Sequence, residues 1–240
     1  MKVTLISYTQ NAEDLLIFTK NTRLEMNPGL LKRISEWSHE KKMEELAYIA
    51  NTIPSSWEFV DYTFLVEGVS RAYTHQQVRT RSASYAQQSM RVLDMGRFDY
   101  IYTERNMEDD RAYDLIDQLM IEVQDVYRQL IDMGQPIEDA RGILPTNIST
   151  NIVCKFNLRV FAGLVQTRTG GRTQSEYQEV VERMLGKVLE VHPWAHMFLL
   201  PEGKDRYKEI EEFARREFKD DLKKKGELLK IVDKMRKERS

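Results

Sequence analysis

At 240 residues, 41% of them hydrophobic, the chain can bury one sizeable core or two small ones; 36 basic against 38 acidic residues leave no field to draw in a polyanion. Cys154 is the only cysteine and the four histidines are scattered without metal-ligand spacing, so an internal disulfide is excluded and no metal site is expected. No apolar run approaches a membrane span and the opening Met-Lys-Val-Thr-Leu has no signal-peptide character, so a globular cytoplasmic protein is expected.

Lys2 to Tyr8 alternates apolar and polar residues, which predicts a first strand. A helix is expected from Asn11 through Lys20, a second from Pro28 through Trp37, and a third from Ser38 to about Asn51 with Met43, Leu46, Ala47 and Ala50 on one face. Pro54-Ser55-Ser56 ends that helix, and the aromatic and β-branched run from Trp57 to Val66 predicts a central strand. A short helix, Ser70 to Val78, carries Gln76.

Arg97 to Thr103 is expected to form another strand. Beyond Asn106, a candidate N-cap, the stripe Ile116, Met120, Val123, Tyr127, Leu130 and Ile131 predicts a long helix that packs in a core or between subunits, stopped by Gly134 and Pro136. Leu144-Pro145 must leave any helix, so Arg141 falls near a helix C-terminus, where its charge suits the dipole even without a ligand. The sequence around Cys154 has the pattern of a buried strand. Gln174 to His192 returns to helical spacing, with Tyr177, Val181, Met184 and Val188 apolar. The charge-dense end divides the chain into one domain over 1–217 and a basic helical extension over 218–240, a solvated helix or partner contact rather than a nucleic-acid arm.

One stretch carries more chemistry than the rest. Arg79 to Arg91 packs three arginines, four aliphatic hydroxyls and two amides into thirteen residues without a carboxylate, so it offers an anion many donors and little repulsion. A solvated loop is the alternative. The order Arg79, Arg81, seven residues, Ser89 resembles the Arg-His-Arg, seven residues, Ser signature of flavin-dependent thymidylate synthases, with Thr80 in place of histidine and with Ala86 and Gln87 where members commonly carry asparagine and glutamate. Ala140-Arg141 with Leu144-Pro145, Asn147 and Thr150, then Asn157-Leu-Arg159, then Arg168 with Gln174 and Glu176, resemble further elements of that family in the same order over roughly Trp57 to Trp194.

The resemblance implies an α/β (α+β) subunit with a central, mostly antiparallel sheet flanked by helices, assembled as a homotetramer. It implies an enzyme that makes dTMP from dUMP, with methylenetetrahydrofolate as one-carbon donor, FAD as cofactor and NADPH as reductant. By the same resemblance Gln76, Gln87, Gln88, Ser89, Arg91, Arg141 and Arg168 hold the nucleotide, and Arg79, Thr80, Arg81, Asn157, Arg159 and Arg172 lie along the flavin. Arg168 is the candidate for stabilising charge on the pyrimidine, and Ser89, with no base at a readable spacing, positions rather than attacks. The chain departs from the pattern at Thr80, at Arg172 and at Pro54-Ser-Ser-Trp-Glu58, which keeps only a proline and an acid of a histidine-rich element. These losses raise two alternatives: a pyrimidine-nucleotide hydroxymethylase, or a non-catalytic nucleotide-binding paralogue.

Overall fold

Four strands make one wholly antiparallel sheet in the order β1-β2-β4-β3: β1 (Lys2–Tyr8), β2 (Asp61–Ser70), β3 (Ala83–Gln87) and β4 (Ser149–Asn157). The computed structural model describes residues 1–240 except 25, 92–94, 170–172, 201–209, 211–212, 215, 219–220 and 240, and describes no side chains at 222–223 and 233–239. Because side chains alternate along a strand, Tyr62, Phe64 and Val66 of β2 and Ile152, Cys154 and Phe156 of β4 turn to one face and are buried there, while Thr63, Leu65 and Val153 stay half-exposed on the other.

Helices α8 (Leu158–Arg168) and α9 (Ser175–Val191) cover the buried face. Phe161 of α8 packs its ring against Phe64 at 5.5 Å and Tyr62 at 6.0 Å. Each apolar side chain of this size contributes roughly 1.5–3 kcal/mol by leaving water. Cys154, opposite both Phe64 and Tyr85, lies in this layer, and burial pushes its thiol up to about 12, so it is a packing residue as its sequence context suggests. Helices α1 (Ala12–Asn21), α2 (Leu30–Ser35) and α3 (His39–Thr52) extend the core through Leu16, Ile34 and Leu46.

Several expected elements fall elsewhere. The strand expected from Trp57 starts at Asp61, because Pro54 opens a 3-10 turn, Pro54–Phe59, that absorbs the aromatic residues first. Arg97 to Thr103 forms no strand beyond a single bridge, Tyr100 to Ile148. Its groups are taken instead by the long helix α6 (Asp110–Asp132): Gln124 donates to the Phe98 carbonyl at 3.0 Å, and the hydroxyls of Tyr100 and Tyr102 both donate to Asp117. The cap of α6 is Asp109, whose carboxylate accepts from the amides of Arg111 and Ala112, and Asn106 lies inside the short helix α5 (Glu104–Glu108). Gly134 closes α6 with φ 83°, a conformation that favours glycine.

Arg141 caps the C-terminus of the one-turn helix α7 (Ile137–Ala140) and opens a 3-10 turn, so its expected place at a helix end holds for a different helix from α6. After α9 come a 3-10 turn (Pro193–Ala195) and α10 (His196–Leu199), and a helix occupies the basic end, Leu222–Arg239. Among the described residues no helix is long and apolar enough to cross a membrane.

His192, buried at the end of α9, sits among Tyr8, Tyr62 and Trp194, and its Nδ1 shares a hydrogen bond with the Tyr62 hydroxyl, 2.9 Å away. Burial lowers the His192 pKa from 6.5 in the unfolded chain to about 4 and raises that of Tyr62, so both partners stay neutral. Between those two pKa values the unfolded chain binds a proton that the folded chain refuses. Stability therefore falls as pH drops from about 6.5 towards about 4. Urea-unfolding midpoints across that window should decline more steeply for the native protein than for His192→Gln, and parallel curves would refute the linkage.

Candidate active site

The site is organised by the end of β2. Gly68, with φ 65°, sits where the register of β2 on β4 shifts between Val66 and Val69, and its amide donates to Asn151 Oδ1 at 3.0 Å. A bulge at a strand end re-aims the residues just beyond it. Here the first functional one is Ser70, whose hydroxyl accepts from the Tyr73 amide at 3.0 Å and so caps α4 (Arg71–Gln77). The same serine donates from its backbone amide at 2.7 Å and from its hydroxyl at 2.5 Å to the carboxylate of Glu176, in the first turn of α9. One residue thus joins β2, α4 and α9.

On α4 the side chain of Gln76 donates to Gln174 Oε1, bringing together two residues that lie far apart in sequence. Arg168, the last residue of α8, lays its guanidinium over the ring of Tyr177, 4.9 Å from the centroid. Thr80 and Arg168 both lower the pKa of the Tyr177 phenol, which burial raises, although neither meets its hydroxyl at hydrogen-bond geometry. Gln76, Thr80, Arg168 and Gln174 therefore form one neighbourhood around the junction of α4 and α9.

A second neighbourhood collects arginines. Arg71, in the first turn of α4, donates to the Gln88 carbonyl at 2.6 Å, while its Nε is buried with no partner among the described residues. Burial and then the like charge of Arg141 lower the Arg71 pKa. Arg141 donates from Nε to the Glu138 carbonyl at 3.3 Å; the exposed Arg91 pairs with the Glu138 carboxylate at 2.8 Å, and Ser89 accepts from the Arg91 amide at 3.2 Å. An exposed pair of this kind contributes about 0–1 kcal/mol and is readily exchanged. Gln87 points inward, donating to Thr74 at 2.9 Å, so much of its hydrogen-bonding capacity ties β3 to α4.

A third neighbourhood lies at the other end of β3. Asp61, Arg81, Ser82, Lys155 and Asn157 line an open cleft of about 290 Å³, with Lys155 paired to Asp61 at 2.8 Å. Asn157 caps α8 through its side chain, accepting from the Val160 amide at 2.9 Å, and Arg159 pairs with Glu58 at 2.6 Å. Arg79 is exposed in the turn after α4, and Arg172 lies outside the described residues. The cleft takes in Ala83 and Ser84 at the start of β3, and Gln88 lies four residues beyond Ser84, roughly 13 Å at about 3.3 Å per residue.

Three contributors escape a reading by motif: Arg71, Glu138 and Tyr177. Arg71 leaves a signal, since a cation in the first turn of a helix opposes the dipole and needs another reason to be there. Tyr177 reads only as an apolar position of α9.

The family model described as thymidylate synthase complementing protein matches residues 4–194. The chain is 32% identical over 203 residues to the flavin-dependent thymidylate synthase of Sulfolobus acidocaldarius, covering 80% of this chain and 74% of that protein. It is 34% identical over 211 residues to that of Sulfurisphaera tokodaii, with 84% and 78% covered, and 36% identical over 178 residues to that of Nitratidesulfovibrio vulgaris, with 70% and 72% covered. The sheet, the capped α4 and the clustered arginines are thus those of a chain that belongs to the thymidylate synthase complementing protein family.

Proposed function

We propose that the chain is a flavin-dependent thymidylate synthase that converts dUMP to dTMP, with methylenetetrahydrofolate as one-carbon donor and NADPH as reductant of FAD. The observation that carries the reading is the pair Arg71 and Arg141: like charges near one another, one with a buried unpartnered N–H, form an arrangement that a phosphate completes.

In this reading Arg91 and Arg141 grip the phosphate with planar forks that lysine could not supply, and Ser89 and the Gln88 side chain add hydroxyl and amide contacts. Arg71, through the Gln88 carbonyl, sets the backbone that presents those groups. Gln76 and Gln87 orient the base and sugar. Arg168 faces the pyrimidine, where a guanidinium at a ring carbonyl or N3 stabilises the charge that develops as C5 becomes nucleophilic.

The donor set of the third neighbourhood fits FAD: Arg81, Ser82 and Asn157 present cationic, hydroxyl and amide donors to one open cleft, and Arg79, Thr80 and Arg159 stand beside it in the chain. When bound, the flavin supplies the hydride. The chain's own contribution there is to hold the pyrophosphate and ring, with Glu58 fixing Arg159. Arg172 belongs to this set by its motif alone.

A homotetramer accounts for one feature. Helix α6 carries a second apolar stripe, Leu115, Leu119 and Val126, exposed at 63%, 52% and 46%, beside the stripe of Met120 and Tyr127 that it buries.

The purified protein should be yellow, bind FAD as an oligomer and form dTMP from dUMP; a colourless monomer that takes up no flavin would sink the reading. Arg168→Ala should lower kcat/KM for dUMP by roughly thirtyfold to a thousandfold, the range of about 2–4 kcal/mol for a lost charged contact. Thr80→His should raise dTMP formation with little change in flavin affinity, because threonine can donate a hydrogen bond beside the ring but cannot carry the charge available to histidine. Brisk turnover in the native protein, with no gain in the variant, would make threonine a neutral replacement.

A further inference from the structure

A guanidinium that must meet a ligand needs its N–H edge free and its orientation fixed, and these demands conflict when the partner is a carboxylate, because a carboxylate occupies that edge. An aromatic ring resolves the conflict by taking the face of the guanidinium and leaving the edge open. Arg168 has the contacts for it. Its guanidinium carbon lies over the Tyr177 ring, 4.9 Å from the centroid, and among the described residues no carboxylate is in ion-pair contact with it.

The ring beneath it is held on all sides. Tyr177 is fully buried, and meets the equally buried Tyr73 edge-on at 5.2 Å and 79°. Tyr73 is itself tied down, its amide on Ser70 and its hydroxyl donating to Gln77 Oε1 at 3.1 Å. A column therefore runs from the cap of α4 through Tyr73 and Tyr177 to Arg168. Arg168 ends α8 just beyond the buried Leu164 and Val165, so its backbone is fixed and only its long side chain requires ordering.

We propose that Tyr177 is a positioning residue for Arg168, its buried ring stacking the guanidinium so that the N–H edge faces the pyrimidine. The proposal rests on Arg168 contacting the base. The ring supplies the orientation; the hydroxyl, which has no hydrogen-bond partner among the described residues, is dispensable to it.

The test is dUMP affinity of the FAD-loaded protein, with the thermal midpoint recorded for every variant. Tyr177→Phe keeps the ring and should bind within about twofold of the native protein, whereas Tyr177→Leu should bind about tenfold more weakly. Phenylalanine carrying one, two and three fluorines at position 177 barely changes in size but progressively loses its negative face, so affinity should fall stepwise along that series, a response that packing alone does not produce. In an Arg168→Ala background the Tyr177→Leu change should cost nothing further. A flat fluorine series, or an equal loss with and without Arg168, overturns the proposal, and the series decides the matter if Tyr177→Leu does not fold. Native protein that binds FAD but not dUMP refutes the reading of the site and this inference with it; native protein that binds dUMP while the series stays flat refutes the inference alone.

Discussion

The hydrogen bonds of Ser70 are the constraint on which the site depends. Its hydroxyl accepts from the first turn of α4 and donates to Glu176 of α9, and its amide donates to the same carboxylate, so three elements meet at one residue. A hydroxyl that donates to a carboxylate becomes a better acceptor, which strengthens the cap it makes on α4. That cap fixes the direction of a seven-residue helix too short to be stable alone, and Arg71 at one end and Gln76 at the other inherit their positions from it. Glu176, part of an element that resembles the family pattern, thus holds α4 and α9 to the end of β2.

Much of this was legible in the sequence, for physical reasons that differ by region. The alternation of Lys2 to Tyr8 marks β1 because a strand has period two, although Val3 is its one buried residue, and the stripe through Ile116, Met120 and Tyr127 marks α6 because one helical face packs inward. β3 was not legible: Ala83–Gln87 mixes small and polar residues and holds its place by pairing with β4, a partner more than sixty residues away in the chain. Arg97 to Thr103 failed in the opposite sense. Its aromatic pattern suits a strand, but Asp117 and Gln124 of α6 claim the segment, and only tertiary structure reveals that competition. Within the candidate site, what the motif residues touch was not legible: nothing in the spacing shows that Gln87 turns inward to Thr74 or that Arg71 reaches the Gln88 carbonyl.

Charge shows the same separation of scales. A net charge of −2 says little about anion binding at one place, because a local field is made by neighbours such as Arg71 and Arg141. Holding Arg71 partly desolvated near Arg141, with an Nε that has no partner among the described residues, is unfavourable in the free protein. In the proposed reading an entering phosphate would relieve the repulsion and satisfy the donor together. The exposed pair of Arg91 with Glu138 adds a gentler version of the same device, since a contact worth little when made costs little to exchange.

The spacing along β3 bears on the proposed assembly. The Arg81 cleft reaches Ser84, and Gln88 lies four residues further along the strand direction, roughly 13 Å at about 3.3 Å per residue, a gap that a nucleotide and a dinucleotide cofactor can span. Separation alone therefore does not call for a second subunit; exposed surface is the better argument. One face of the sheet stays half-exposed, and α6 keeps a second apolar stripe on its outer side. In the proposed homotetramer further copies of the chain bury these surfaces, and the availability of the active site then follows the concentration of the protein itself.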